Sequence, residues 1–141
     1  MALRERIYEL YEAYAAGRFE YLLDEAIDDE IEFVSCAPQQ LFPYFGRGRG
    51  KAALLAAWKA ARADFEFLSY MPMLIVADGA DCAAIIVQMR VRRLATDRVM
   101  SLMVADFLRF RANRIVEFRQ FMDSLDAAEQ WLGRDIDISK L

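Results

Sequence analysis

The chain has 141 residues, the length of one domain, and its 57% hydrophobic, 13% aromatic and 28% charged content separates it from disordered and low-complexity sequences. The formal net charge of -4 argues against a nucleic-acid partner, although residues 90–119 are rich in arginine with only Asp97, Asp106 and Glu117 opposing it. The chain has no histidine, which excludes Ser-His-Asp and Cys-His nucleophiles, His-carboxylate metal sites and the HExxH zinc motif; any chemistry must come from carboxylates, tyrosine hydroxyls, arginine or backbone donors.

The first residues, MALRERIYELYEAY, turn charged at once, and Leu3, Ile7, Leu10 and Tyr14 recur at helical spacing, so a helix is predicted over Leu3–Ala16 with Gly17 ending it. A second helix, Phe19–Ile27, runs into the acidic turn DDE, and the alternation of Ile31, Phe33 and Ser35 predicts a strand over Glu30–Cys36. APQQLFPYFGRGRG reads as a loop whose Phe42, Tyr44 and Phe45 fold back over something, and KAALLAAWKAARA reads as a helix with Leu54, Leu55 and Trp58 on one side.

The period then changes. DFEFLSYMPMLIVA, CAAIIVQMRVRRL, RVMSLMVADFLRFR and RIVEFRQFM alternate as strands, joined by the short turns ADGAD, ATD and RAN, which specifies an antiparallel meander. Pro72 cannot donate to a ladder and belongs at an edge or a bulge. Asp123 or Ser124 caps a last helix, SLDAAEQWL, closed by Gly133. The charged start reads as no secretory signal, and Asp78 and Asp81 break the most apolar region, so no membrane span is read and a soluble cytoplasmic protein is expected. Cys36 and Cys82 lack metal-ligand spacing and receive no role.

One carboxylate stands out. With a tight ATD hairpin, Leu102, Val104, Asp106, Leu108 and Phe110 share a face with Ile85, Val87, Met89 and Val91, so Asp106 points into the apolar interior. There it must pair, accept hydrogen bonds or stay protonated with a raised pKa. Either it is a structural partner of Arg119 or another donor, or it is the polar group of a pocket. Arg119 itself faces inward or outward according to whether the RAN turn has two or three residues. GRGRGK is no nucleotide loop, because Phe45 and Ala52 stand where a Walker sequence needs Gly and Ser or Thr.

The order of these elements, together with AYAAGRFEYLLDEAIDDEIEF, PYFGRGRGKAAL and VADFLRFRANRIVEFRQFMD, resembles the nuclear transport factor 2-like superfamily in its SnoaL-like and ketosteroid isomerase-like branch. The resemblance covers nearly the whole chain as one domain, 1–141, and implies an α+β fold, a cone-shaped curved mixed or antiparallel sheet wrapped around the amino-terminal helices. It implies a small hydrophobic ligand in an apolar pocket, handled without metal or organic cofactor by an isomerase, cyclase or epoxide-hydrolase-like enzyme. Asp106 matches the position where ketosteroid isomerases keep a protonated aspartic acid, an example of pKa tuning known from that enzyme.

Tyr14 or Tyr11 offers a second hydroxyl, while the position of the isomerase base falls on Val34 or Ser35, with no carboxylate. Resemblance to limonene epoxide hydrolases would group Asp106, Arg119 and Asp123, although Asp123 also reads as a helix cap. The expected pocket wall comprises Tyr11, Phe33, Ser35, Tyr44, Phe45, Trp58, Met73 and Val104. The outer sheet face, with Met103, Ala105 and Phe107 among arginines, is the expected homodimer surface. The alternative is a non-catalytic binding or assembly module.

Overall fold

The computed structural model describes residues 2–141. Helix α1 (Leu3–Ala15) buries Ile7, Leu10, Tyr11 and Ala13 and leaves Glu5, Glu9 and Glu12 in water. Gly17, at φ 74°, closes it: the N–H groups of Gly17 and Arg18 donate back to the carbonyls of Tyr14 and Ala13, the paired bonds of a Schellman ending. Helix α2 (Phe19–Glu25) is shorter than expected because Ile27 already pairs with Ile115 as the first residue of strand β1 (Ile27–Cys36). The acidic DDE segment is therefore an irregular stretch of strand rather than a turn.

GRGRG, expected as loop, contains the short strand β2 (Arg47–Arg49), antiparallel to β1. Its composition hides this, because a glycine there serves packing: a Cβ on Gly48 would sit 2.2 Å from the Phe33 ring. Helix α3 (Lys51–Asp64) follows, then the meander of β3 (Phe65–Asp78), β4 (Cys82–Arg93), β5 (Val99–Arg111) and β6 (Arg114–Met122), then α4 (Ser124–Leu132) and a 3-10 turn, Ile138–Lys140. The curved, unclosed six-stranded sheet runs β2-β1-β6-β5-β4-β3, with β1 parallel to β6 and every other pair antiparallel. The α+β class and mixed sheet expected from the sequence are those observed.

The inner face is as the alternation predicted. Asp106 lies opposite Ile85, Val104 opposite Val87 and Leu102 opposite Met89, all buried. Two irregularities set the remaining side chains. In the β5–β6 hairpin, Ala112 and Asn113 take φ 48° and 69°, the left-handed conformations of a two-residue turn. Phe110 then faces Ile115 while Arg109 faces Glu117, so Val116 is an extra, unopposed residue. Unbroken alternation from Ile115 would have turned Glu117 and Arg119 inward; the bulge gives those places to Phe118 and Gln120. In β3, an edge strand, the pairing skips Leu68 and Met73, the latter beside Pro72. Among the described residues no helix is long and apolar enough to cross a membrane.

Candidate functional site

Asp106 is completely buried and no cation reaches it: none of the ion pairs among the described residues includes it. Three neutral donors hold it instead. Tyr11 from α1 donates to Oδ2 at 2.5 Å, Tyr70 from β3 donates to the same oxygen at 3.3 Å, and Gln120 Nε2 from β6 donates to Oδ1 at 3.1 Å. Gln120 Nε2 also reaches the Tyr70 hydroxyl at 3.5 Å, and Gln120 Oε1 accepts from Ser35 of β1 at 3.1 Å. The Tyr11 and Tyr70 rings stack with centroids 5.3 Å apart, which fixes both hydroxyls over one carboxylate oxygen.

Burial pushes the Asp106 carboxyl up to about 6, and the three hydrogen bonds offset only part of that rise. Burial and then the neighbouring Asp106 charge drive the Tyr11 and Tyr70 hydroxyls well above the ordinary tyrosine value. Asp106 is thus a group that can gain or lose a proton near neutrality, behind two phenols that stay protonated.

In front of this network lies a cavity of about 130 Å³ between α1, α3 and the sheet. Leu10, Leu54, Trp58, Leu108 and Phe118 contribute to its apolar wall, and Tyr11, Ser35, Tyr70 and Gln120 form its polar end. Asp106 does not line it. The loop over Phe42–Gly46 covers one side, anchored by Phe42, which packs on Trp131 at 4.9 Å and Phe65 at 6.1 Å. Tyr14 lines the cavity inside an aromatic cage with Phe19, Trp58, Phe67 and Tyr70, and burial raises its hydroxyl to about 12 against the opposing pull of Arg62. The Arg62 guanidinium stacks on Phe67 at 4.0 Å and donates to the Tyr14 and Ala15 carbonyls, holding the end of α1 in place.

Of the residues singled out from sequence, Tyr11, Tyr14, Phe33, Ser35, Tyr44, Phe45 and Trp58 line the cavity. Four do not. Val104 is buried in the sheet core beside the cavity rather than on its wall. Met73 is 61% exposed, the extra residue of the irregularity after Pro72 that opposes no residue of β4. Arg119 lies on the outer face opposite Phe107 and pairs with Glu117 at 2.5 Å, so it never meets Asp106. Asp123 caps α4, its Oδ1 accepting from the Asp126 N–H at 3.0 Å. The set of Asp106, Arg119 and Asp123 is therefore not brought together. Tyr70 and Gln120 were missed, because each is aimed by a bulge that periodicity does not register.

The profile of the SnoaL-like domain matches residues 7–118. Among solved structures, a candidate isomerase from Rhodopseudomonas palustris is 31% identical, over 89% of this chain and 91% of that one, with a TM-score of 0.79. A nuclear transport factor 2-like protein from Burkholderia xenovorans LB400 is 22% identical over 91% and 94% of the two chains, TM-score 0.75. A candidate polyketide cyclase from Xanthomonas campestris pv. campestris is 12% identical over 92% and 96%, TM-score 0.75. No curated protein matches the chain.

Proposed function

The chain belongs to the SnoaL-like family of the nuclear transport factor 2-like superfamily, and from that premise we propose that it binds a small hydrophobic molecule in its cavity and acts on it by acid–base chemistry of the isomerase or cyclase kind, without metal or organic cofactor. One observation carries this reading: an apolar cavity with a single polar end, backed by a buried carboxylate held near 6. The fold alone would not carry it, since one scaffold hosts many activities.

In this reading Tyr11 and Tyr70 are the groups that meet the ligand. Asp106 is a positioning residue that orients their hydroxyls and takes or returns a proton through them, rather than the direct acid that the family position implies. An epoxide-hydrolase reaction loses its support, because Arg119 and Asp123 lie elsewhere.

A second reading has its own observation: Asp106 is fully satisfied by Tyr11, Tyr70 and Gln120, as a purely structural carboxylate would be. One experiment separates the two. Native mass spectrometry of freshly purified protein is expected to show a bound lipophilic molecule, which then gains solvent deuterium when incubated with the protein, at a rate at least about tenfold lower in Tyr11→Phe. Binding without exchange or product would favour a non-catalytic module; no bound molecule, and no uptake of aromatic probes, would sink both.

We further propose that the outer sheet face pairs two copies of the chain. Supporting this, Leu74, Val76, Met103, Phe107 and Phe121 are 43–58% exposed there, the Phe107 and Phe121 rings meeting at 5.7 Å, beside the alternating charges of Arg109, Glu117 and Arg119.

A further inference from the structure

We infer that the polar end of the cavity is built to receive a hydrogen-bond donor, so that its ligand is a small hydrophobic alcohol or phenol rather than a ketone. This deepens the binding reading above and rests on it.

The inference follows from where the polar hydrogens go. Tyr11, Tyr70 and Ser35 each carry one O–H and Gln120 carries two N–H. The Tyr11 and Tyr70 hydrogens go to Asp106 Oδ2, one Gln120 hydrogen goes to Asp106 Oδ1, the other points to Tyr70, and the Ser35 hydrogen goes to Gln120 Oε1. Every hydrogen at this end is taken up inside the network around the ionised carboxylate. What the cavity sees is oxygen lone pairs, those of Tyr11 and Ser35 foremost. A ligand carbonyl placed there would meet lone pairs with no hydrogen between them, whereas a hydroxyl donates to them.

Tyr14 completes the arrangement. Its ring stands 5.0 Å from that of Tyr70, and its hydroxyl has no acceptor among the described residues. A ligand hydroxyl can accept from Tyr14 while donating to Tyr11 or Ser35; a ketone can accept from Tyr14, or from the unpartnered Tyr44 hydroxyl on the cavity wall, but has no hydrogen to give the polar end. The groups facing Asp106 are Tyr11 from α1, Tyr70 from β3 and Gln120 from β6, with the apolar Ile85 opposite on β4. Protonating Asp106 would add a hydrogen to this closed set and release one tyrosine hydrogen to the cavity, so the donor preference belongs to the ionised state.

The test compares the secondary alcohol phenylethanol with acetophenone, one skeleton differing by two hydrogens, by ligand-observed NMR near pH 8. The alcohol is expected to bind about tenfold tighter, the equivalent of one net hydrogen bond. Asp106→Asn brings amide hydrogens into the network, and the preference should shrink to within about threefold. Tyr14→Phe takes away a donor on which the ketone, unable to donate, depends more than the alcohol, and should widen it, which keeps the test decisive if Asp106→Asn does not fold. Equal or tighter binding of acetophenone to the wild-type protein, an undiminished preference in folded Asp106→Asn, or a preference lost in Tyr14→Phe overturns the inference and leaves the cavity reading intact. Failure of both compounds to bind at millimolar concentration removes the cavity reading, and this inference with it.

Discussion

The Tyr11 hydroxyl and Asp106 Oδ2 stand 2.5 Å apart although 95 residues of sequence separate them. This bond ties the first helix to the middle of the sheet. Tyr11→Phe removes it and leaves a buried carboxylate with one donor fewer, so a loss of about 1–3 kcal/mol is expected in urea unfolding near pH 7. The same change withdraws a group that favoured the ionised form, so the Asp106 pKa should rise further above about 6, as followed by the carboxyl carbon shift in NMR.

The raised pKa of Asp106 has a signed consequence for stability. Below about pH 4 the folded and unfolded chains both hold the proton, and the carboxyl costs nothing. Between there and about 6 the unfolded chain releases it while the folded chain keeps it, so stability falls as pH rises and levels off above that window. The full penalty is about 3 kcal/mol. Asp106→Asn lacks this slope, and its stability relative to wild type should therefore improve from pH 4 to pH 7. A difference between the two proteins that does not change with pH would show that the carboxyl is not raised.

The β5–β6 hairpin gives two outcomes. Ala112 sits at φ 48°, where glycine is at ease and alanine is not, so Ala112→Gly should raise stability by about 1 kcal/mol. Deleting Val116 removes the bulge while leaving Glu117 opposite Arg109 and keeping Phe118 and Gln120 on the inner face. That variant is expected to keep its cooperative unfolding transition, monitored by circular dichroism.

Asp123→Ala should cost about 1 kcal/mol through the lost cap on α4 and leave probe affinity within about twofold. Titration of phenylethanol into the variant checks this. A collapse of affinity without unfolding would return Asp123 to the site.

On the outer face, sedimentation velocity at micromolar concentration is expected to give a dimer for the wild-type chain and a monomer for Phe107→Glu, which places a charge in the middle of the exposed apolar surface. A wild-type monomer would end the pairing proposal.

The fold was legible because its signals are local and repetitive: the helical spacing of Ile7, Leu10 and Tyr14, and the strict alternation from Leu102 to Phe110, survive unchanged in the structure. The same alternation put Asp106 on the inner face. What could not be read were interruptions of period. Val116, Leu68 and Met73 look like ordinary strand residues, yet each is the extra residue of an irregular pairing and decides the face of everything after it. Arg119, Gln120, Tyr70 and Met73 were misassigned or overlooked for that one reason. β2 was hidden differently, by a glycine content that signals loops but here clears space for Phe33.

The parallel seam between β1 and β6 also bears on how the molecule comes into being. Ser35 waits for Gln120, which follows it by 85 residues, and Tyr11 waits for Asp106. A chain emerging from the ribosome can zip the β3–β4 and β4–β5 hairpins as they appear, but β1 has no long partner until β6 arrives. Contacts this distant in sequence make folding slow, and leave the apolar face of α1 without its final cover until the end. The cavity is thus the last part of the protein to exist, and a nascent chain stalled before Arg114 would have hairpins but nowhere to hold a ligand.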